Sequence, residues 1–428
     1  MASALAFLLA NGAQFLPNIQ ESAIKYVFQK FVMASRVRVA TDLAGDWNTR
    51  KVSEYMPQRR AQELAEDTEI PDTQLLRAAL AAITPKEFGD RNRITERRAG
   101  TDPEPIIRDS VEALSYSVGS KVEVDLLNAG RAAFRKSAGS LATELSMATL
   151  NKSAVRFRQV RGVEGQALYH VLHPYQVEPI MEKLLTFTEA QGGQAALDNA
   201  TSGSVQSFNF PVIGNIAIAP LLPRRVVIGL KIYGTGGTFR LQVGDGYVVG
   251  VNVTAPITVT GVIATDIADI KAKLEALTFV GNGTWTLAQA GYLNITITPP
   301  ATLFLPDTDQ LRPAVKYDED LHIDGGSFDS NHQKSGYDAI TGLSGAPVDD
   351  LGNSLGFTIH EKTATAEGLS FFRDALIYDI RKSPTAFSEV TMQGRTFEYS
   401  LSHTYAAAGW RTYLGSRILS TATNDTFS

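Results

Sequence analysis

The stretch from Thr101 to Arg131 constrains this chain more than any other. Thr101-Asp102-Pro103-Glu104 offers a capping side chain, a Pro for the first turn and a Glu three residues after the Thr, which together open a helix. Ile107, Val111, Leu114, Val118, Val122 and Leu126 follow at steps of three or four and fall on one face. Gly130 reads as a left-handed stop. The helix these signals predict is roughly 40 Å long at 1.5 Å per residue. Its sequence is poor for a helix standing alone: Val111, Val118, Val122 and Val124 are β-branched, and Gly119 costs about 1 kcal/mol relative to Ala. Such a helix would fray unless something lay along it.

Upstream, Asn18 can cap a helix to Ala34, with Glu21 three residues on and Ile19, Ala23, Val27 and Phe31 on one face. Met1 to Pro17 is an apolar arm with no partner nearby, expected to lie across another part of the chain or another subunit. From Asp46 to Gly100 the pattern changes. Charges of both signs crowd together, among them Arg59, Arg60, Glu63, Glu66, Arg91, Arg93, Arg97 and Arg98, while apolar residues are sparse. A stretch this long with so few core positions cannot build its own core. Pro57, Pro71 and Pro85 punctuate it as a long two-stranded excursion with a bent tip. Charge runs are often solvated loops. The mixed signs fit better an arm whose charges meet opposite charges on a neighbouring chain, since such pairs gain weight as a network.

Downstream of the helix, Ala148 to Gly162 alternates Val155, Phe157 and Val160 with Lys152, Arg156, Arg158 and Arg161, which predicts a strand with one basic face and leaves nucleic-acid contact open there as a minor reading. Leu168 to Leu172 reads as a buried strand, and His173-Pro174 leads into a helix from about Tyr175 to Glu189. Val226 to Ile232, Phe239 to Val243 and Val249 to Val253 alternate as strands, with hairpin turns at Gly234 to Gly237 and Gly244 to Gly246. Thr265 or Asp266 caps a helix, and Leu293, Ile295 and Ile297 form a further strand. Pro220, Pro223, Pro299 and Pro300 frame this stretch as a self-contained, mostly β insertion. Asp307 to Gly356 is acidic and irregular. Strands are expected at Ala364 to Phe372 and Ala375 to Lys382, then a final hairpin of Glu398 to Tyr405 and Trp410 to Leu419.

The 428 residues are 44% hydrophobic, enough for two or three cores. A formal net charge of −5 argues against a dedicated nucleic-acid binder. With no Cys there is no disulfide frame and no thiolate metal site. The apolar Ala4 to Ala10 lacks a preceding Lys or Arg and is too short for a secretory signal, and no apolar run is long enough to span a bilayer. A soluble chain made in a reducing cytoplasm is expected. No phosphate loop or dinucleotide fingerprint occurs, and Gly234-Thr235-Gly236-Gly237 reads as a turn. His322, Asp324, Asp329 and His332 cluster, but counting from Asp318 the sixth position is Ile323, so the calcium-loop template fails. His170 and His173 read as core or capping residues, and no Ser sits in a nucleophile elbow. These readings give no catalytic residue, no cofactor and no metal site, hence no enzyme.

In order, the arm, charged excursion, long helix, α/β body and late strands around Leu369-Ser370-Phe371-Phe372-Arg373-Asp374-Ala375-Leu376 resemble the major capsid proteins of tailed bacteriophages. Those share the Hong Kong 97 fold. The resemblance implies an α+β chain with an N-terminal arm (1–45), an extended loop (46–100), a spine helix and peripheral domain (101–165) and an axial domain (166–222). An inserted β-rich domain (223–300), a second axial part (301–365) and a return to the peripheral domain (366–428) complete it. It further implies hexamers and pentamers of an icosahedral virion shell, assembled in the host cytoplasm around double-stranded DNA that is contacted weakly and non-specifically. Implied partners are a separate scaffolding protein, a portal and a cement or decoration protein, with no membrane. The charges named above in 46–100 would be inter-subunit contacts. Some relatives crosslink a loop Lys to a neighbour's Asn; Lys51 and Lys86 are available here, but nothing marks either as reactive. A tail-tube or other virion structural protein, and a hydrolase or carbohydrate-binding protein built on the β insertion, stay open as alternatives.

Overall fold

The computed structural model describes residues 24, 30–41, 49–52, 81–95, 103–158, 166–191, 207–210, 214–244, 248–291, 294–313, 340–341, 356–391 and 396–423. The predicted long helix is present as α1, Pro103–Ala133. Leu114, Val118, Val122 and Leu126 are buried along one side of it, as their spacing requires. Gly130 does not end it. It is a helical residue inside α1, and a Cβ there would come within 2.6 Å of Leu369 Cδ1. The glycine serves close approach between helix and sheet rather than a left-handed turn.

What lies along α1 is a four-stranded sheet ordered β1-β18-β19-β4. Its strands are β1 (Arg38–Ala40), β4 (Lys86–Thr95), β18 (Leu376–Thr391) and β19 (Thr396–Gly409). Between β1 and β4, β2 (Arg50–Val52) pairs antiparallel with β3 (Ala81–Ile83).

The remaining strands form a larger, nine-stranded sheet and smaller ladders. After α1 come β5 (Ser137–Gly139), α2 (Met147–Arg158), β6 (Leu168–Leu172), α3 (Pro174–Gln191), β7 (Ser207–Phe210) and β8 (Gly214–Ile218). β9 (Arg224–Ile232), β10 (Gly236–Phe239), β11 (Leu241–Gln242), β12 (Ile257–Thr258) and α4 (Ile263–Glu275) follow. Then come β13 (Thr286–Gly291), β14 (Asn294–Thr298), β15 (Arg312–Pro313), β16 (Ile340–Thr341), β17 (Phe357–Phe372) and, at the end, β20 (Gly415–Thr421). The large sheet runs β13-β14-β9-β17-β6-β8-β7, with β20 and β5 attached beside β17. β6 and β8 are parallel with α3 as the crossover between them, the compact α/β unit read from the sequence.

Several elements depart from expectation, each for a physical reason. Met147–Arg158 is helix, not strand: Leu150, Ala154 and Phe157 are buried at helical spacing while Val155 is 47% exposed. The Ser146 hydroxyl caps this helix by accepting the Thr149 N–H. Residues 248–253 form a tight turn, closed where the Asn252 side-chain oxygen accepts the Val248 N–H, so Val249 and Val251 are exposed. No hairpin joins β9 to β10, because β9 lies between β14 and β17 while β10 pairs with β12 and β16. β19 and β20 likewise form no hairpin; they belong to different sheets, separated by a 3-10 turn at Thr412–Leu414. α4 starts at Ile263, and the Asp266 carboxylate instead accepts from the Thr260 N–H and hydroxyl. From Phe31 on, the chain bends and turns rather than continuing a helix; Asn18, Ile19, Glu21, Ala23 and Val27 lie outside the described residues.

Two main cores result. One gathers α1, α2, β6, β17, β18 and residues 32–37. The second packs β9 to β12, α4 and β14 with Leu303, Leu311, Ile340, Phe357 and Ala364. The 223–300 stretch is therefore not self-contained: its core is completed by Leu303, Leu311, Ile340, Phe357 and Ala364, and β9 pairs with β17 along Phe357 to Ala366. Replacing Gly130 by Ala sets a gain in helix propensity of about 1 kcal/mol against the overlap with Leu369. A net loss of about 1 kcal/mol is expected, read as a lower urea midpoint, and an unchanged or raised midpoint would show that the α1–β17 approach is slack.

Candidate functional site

Among the described residues no catalytic cluster is placed, and the surfaces of interest are the polar anchors that hold the chain's segments to its body. The first is the base of the excursion. Arg50 on β2 reaches Asp379 on β18 (Nη2–Oδ1 3.1 Å), and Arg381 meets the same carboxylate at 2.8 Å. The Asp379 side chain is fully buried, so this triad fixes how β2 and β3 stand on the sheet. Residues 53–80, which carry Arg59, Arg60, Glu63 and Glu66, lie outside the described residues, as do Arg97 and Arg98. Arg91 and Arg93 are placed. Both are on β4 and share Glu398 of β19, at 3.0 and 2.7 Å, with side chains 62% and 42% exposed. They are thus held at the sheet edge by a buried carboxylate while presenting much of their surface outward.

The second surface is the N-terminal strap. Val32, Met33, Ala34 and Val37 are buried against α1 and the sheet. The Glu123 carboxylate, buried in the middle of α1, accepts the Val32 and Met33 N–H groups at 3.2 and 2.8 Å. Arg36 closes the turn by donating to the Val32 carbonyl. Phe31 then meets Tyr116 with ring centroids 5.7 Å apart, so the chain leads back toward the start of α1. Burial pushes the Glu123 carboxyl up to about 7, against the pull of the two N–H groups and Arg36. No sequence rule used above singles out a Glu within an apolar face, although its place between Val122 and Val124 was the available signal.

A third cluster ties the two halves together. Arg224 donates to Asp307 at 2.7 Å, to both Glu361 oxygens at 2.9 and 3.1 Å and to the Ala422 carbonyl at 2.6 Å. His173 caps α3, its Nδ1 accepting the Tyr175 N–H, while Nε2 faces Asp307 at 3.3 Å. Burial lowers the His173 pKa against the pull of the nearby Asp307 carboxylate. In β18 and β19, His403 is buried; Nδ1 lies 2.7 Å from the Lys382 carbonyl and Nε2 2.6 Å from the Tyr378 hydroxyl. A carbonyl only accepts, so Nδ1 carries the proton and Nε2 accepts from Tyr378. Burial holds this histidine down at about 4. These groups face one another rather than a cavity, and His170 is buried within β6. Among the described residues no group of three His, Asp or Glu is placed to hold a metal, and no helix is long and apolar enough to cross a membrane. His322, Asp324, Asp329 and His332 lie outside the described residues.

No protein-family model matches the chain, and no curated protein matches it in sequence. Solved structures do match in outline. The capsid of cyanophage P-SCSP1u aligns at 8% identity over 90% of this chain and 86% of its own, with a TM-score of 0.43. The head of Helicobacter pylori bacteriophage KHP40 aligns at 10% identity over 90% and 87%, with a TM-score of 0.42. A virus-like particle from Pyrococcus furiosus aligns at 6% identity over 95% and 99%, with a TM-score of 0.39. At these values a capsid reading has to stand on the chain's own geometry.

Glu123 gives a testable pH signature. Its folded pKa is about 7 against an ordinary value of 4.5, so between those limits the folded state holds a proton the unfolded state has lost. Stability therefore falls as pH rises through this window, by about 3 kcal/mol in all. His403 works the other way, its contribution being lost as pH falls from 6.5 toward about 4. Urea denaturation of wild type and Glu123→Gln isolates the first effect. The stability difference between them should shift by about 3 kcal/mol in favour of the variant from pH 5 to pH 8, and a pH-independent difference would refute the buried carboxyl's role.

Proposed function

We propose that this chain is a structural protein that self-assembles, as hexamers and pentamers, into the icosahedral shell of a virion around double-stranded DNA. The observation that carries the reading is the pairing of β2 with β3. It brings Val52 and Ala81, which flank the stretch 53–80, side by side, next to Arg50 anchored on Asp379. That stretch is rich in charge and poor in core residues, so its partners are sought on a neighbouring copy. The rest of the geometry agrees. α1, β18 and β19, the longest helix and two of the longest strands among the described residues, form an elongated arm beside the larger sheet, and the strap at Val32 to Val37 crosses α1.

In the shell, the excursion lies over the adjacent subunit and the N-terminal arm locks under a neighbour. Arg59, Arg60, Glu63, Glu66, Arg97 and Arg98, with the half-exposed Arg91 and Arg93, supply the charges that meet the next copy. The unit from β9 to β14 stands out from the body as a built-in decoration or a platform for a cement protein. A separate scaffold and a portal complete the partners, assembly takes place in the host cytoplasm, and the role is structural rather than catalytic.

Joining Val52 to Ala81 by a short Asn-Gly turn removes 53–80 and leaves β4 in its sheet. The wild-type chain should close shells visible by negative-stain electron microscopy. The shortened chain should stay soluble with an unchanged circular-dichroism spectrum and form none. Normal particles from the shortened chain would overturn this mechanism, and a wild-type chain that stays monomeric at every concentration would overturn the shell.

A further inference from the structure

Several of the cations that the structure places converge in pairs on one carboxylate. Arg50 and Arg381 converge on Asp379, Arg91 and Arg93 on Glu398, and Arg131 and Arg417 on Glu367. One surface gathers four cations that do not. Arg135 and Lys136 follow the end of α1, and Lys152 and Arg156 stand one turn apart on the outer face of α2; all four are exposed. Arg156 donates to the Ser137 carbonyl at 3.4 Å, which brings α2 against the segment bearing Arg135 and Lys136 and makes one patch. Among the described residues no ion pair joins any of the four to a carboxylate. Between Arg131 and Arg161 the sequence holds seven cations and one acid, Glu144, in a chain of net charge −5.

We propose that this patch, formed by the end of α1, the lead into β5 and the outer face of α2, binds the phosphate backbone of nucleic acid and is therefore the face turned to the shell interior. The identity of the anion rests on the shell reading; the patch itself does not. Unpaired Lys and Arg on rigid elements suit a polyanion, because each phosphate contact releases condensed counterions. An acidic protein segment would want apolar anchors as well, and Val155 is the one large apolar side chain exposed on this face of α2. No base-reading element enters the argument, so binding is to backbone and blind to sequence. Four contacts keep the grip weak, which lets packaged DNA slide.

The purified full chain, titrated with a short fluorescent duplex DNA of mixed sequence between about 50 and 200 mM salt, should bind with a log–log salt slope of about −3 to −4. The R135A/K136A/K152A/R156A variant should lose at least tenfold in affinity at the low-salt end and flatten toward zero slope, while the charge-keeping R135K/K136R/K152R/R156K variant retains both. An equal slope in the alanine variant, no wild-type binding, or equal binding of poly-glutamate overturns the proposal. In particles, alanine-variant shells should protect less nucleic acid from nuclease than wild-type shells. Equal protection overturns this inference alone. Failure of the wild-type chain to form shells overturns the shell reading and leaves the duplex titration to judge the patch.

Discussion

The fold depends on one crossing. Near its C-terminal end α1 passes over the junction where β17 hands the chain to β18 through the 3-10 turn at Arg373–Ala375. Gly130 lets the helix backbone approach Leu369 of β17 and Leu376 of β18, one on each side of that junction. Phe134 continues the contact onto Phe371, with ring centroids 6.2 Å apart. One helix thereby fixes two sheets that share no strand. The weak helix formers in α1 are explained by the same contact: Val118 and Val122 pack into the sheets, and packing rather than propensity holds the helix.

From this crossing the two polar anchors gain their meaning. Arg224 sits where β9, β17, the residues before β15 and the C-terminal tail converge, binding Asp307, Glu361 and the Ala422 carbonyl at once. Asp379 does the same on the other sheet, where β18 meets the base of the excursion. Buried ion clusters of this kind return little net stability, since desolvation offsets the Coulomb gain. Their contribution is direction, because each Arg fork accepts one geometry. Glu123 is a third anchor of different character, a carboxylate satisfied by backbone donors, and it fixes where the N-terminal strap crosses α1.

The sequence made α1 legible, along with β6, α3 and β9, because each shows its period or punctuation within a short window. Long-range partner choice was not legible. Glycines at 234–237 look like a hairpin turn, yet β9 already has β14 and β17 as neighbours, so β10 pairs elsewhere. The final hairpin failed for the same reason: β19 is taken by β18 and β4, and β20 completes the other side of β17. At 148–158 alternation competed with helical spacing, and three buried residues at steps of three and four decided it. For the site, Arg91 and Arg93 were visible as charges, but their shared partner Glu398 lies 305 residues or more away along the chain.

The open sheet edges show how such a chain avoids premature pairing. β4 ends the four-stranded sheet and carries Lys86, Glu87, Asp90, Arg91 and Arg93, a charged edge that resists extension by a second strand. Glu398 holds two of those cations at that edge, so the protection is structural and does not depend on loose side chains. β13 ends the larger sheet with Thr-Leu-Ala-Gln-Ala-Gly, which has no charge, but a register shift between Gln289 and Gly291 interrupts its ladder. The chain thus blocks sheet growth by charge on the arm and by irregular backbone on the insertion. The base of the excursion and the strap are held instead by side chains, Arg50 on Asp379 and Glu123 on the Val32 and Met33 N–H groups, so neither relies on an added strand for its attachment.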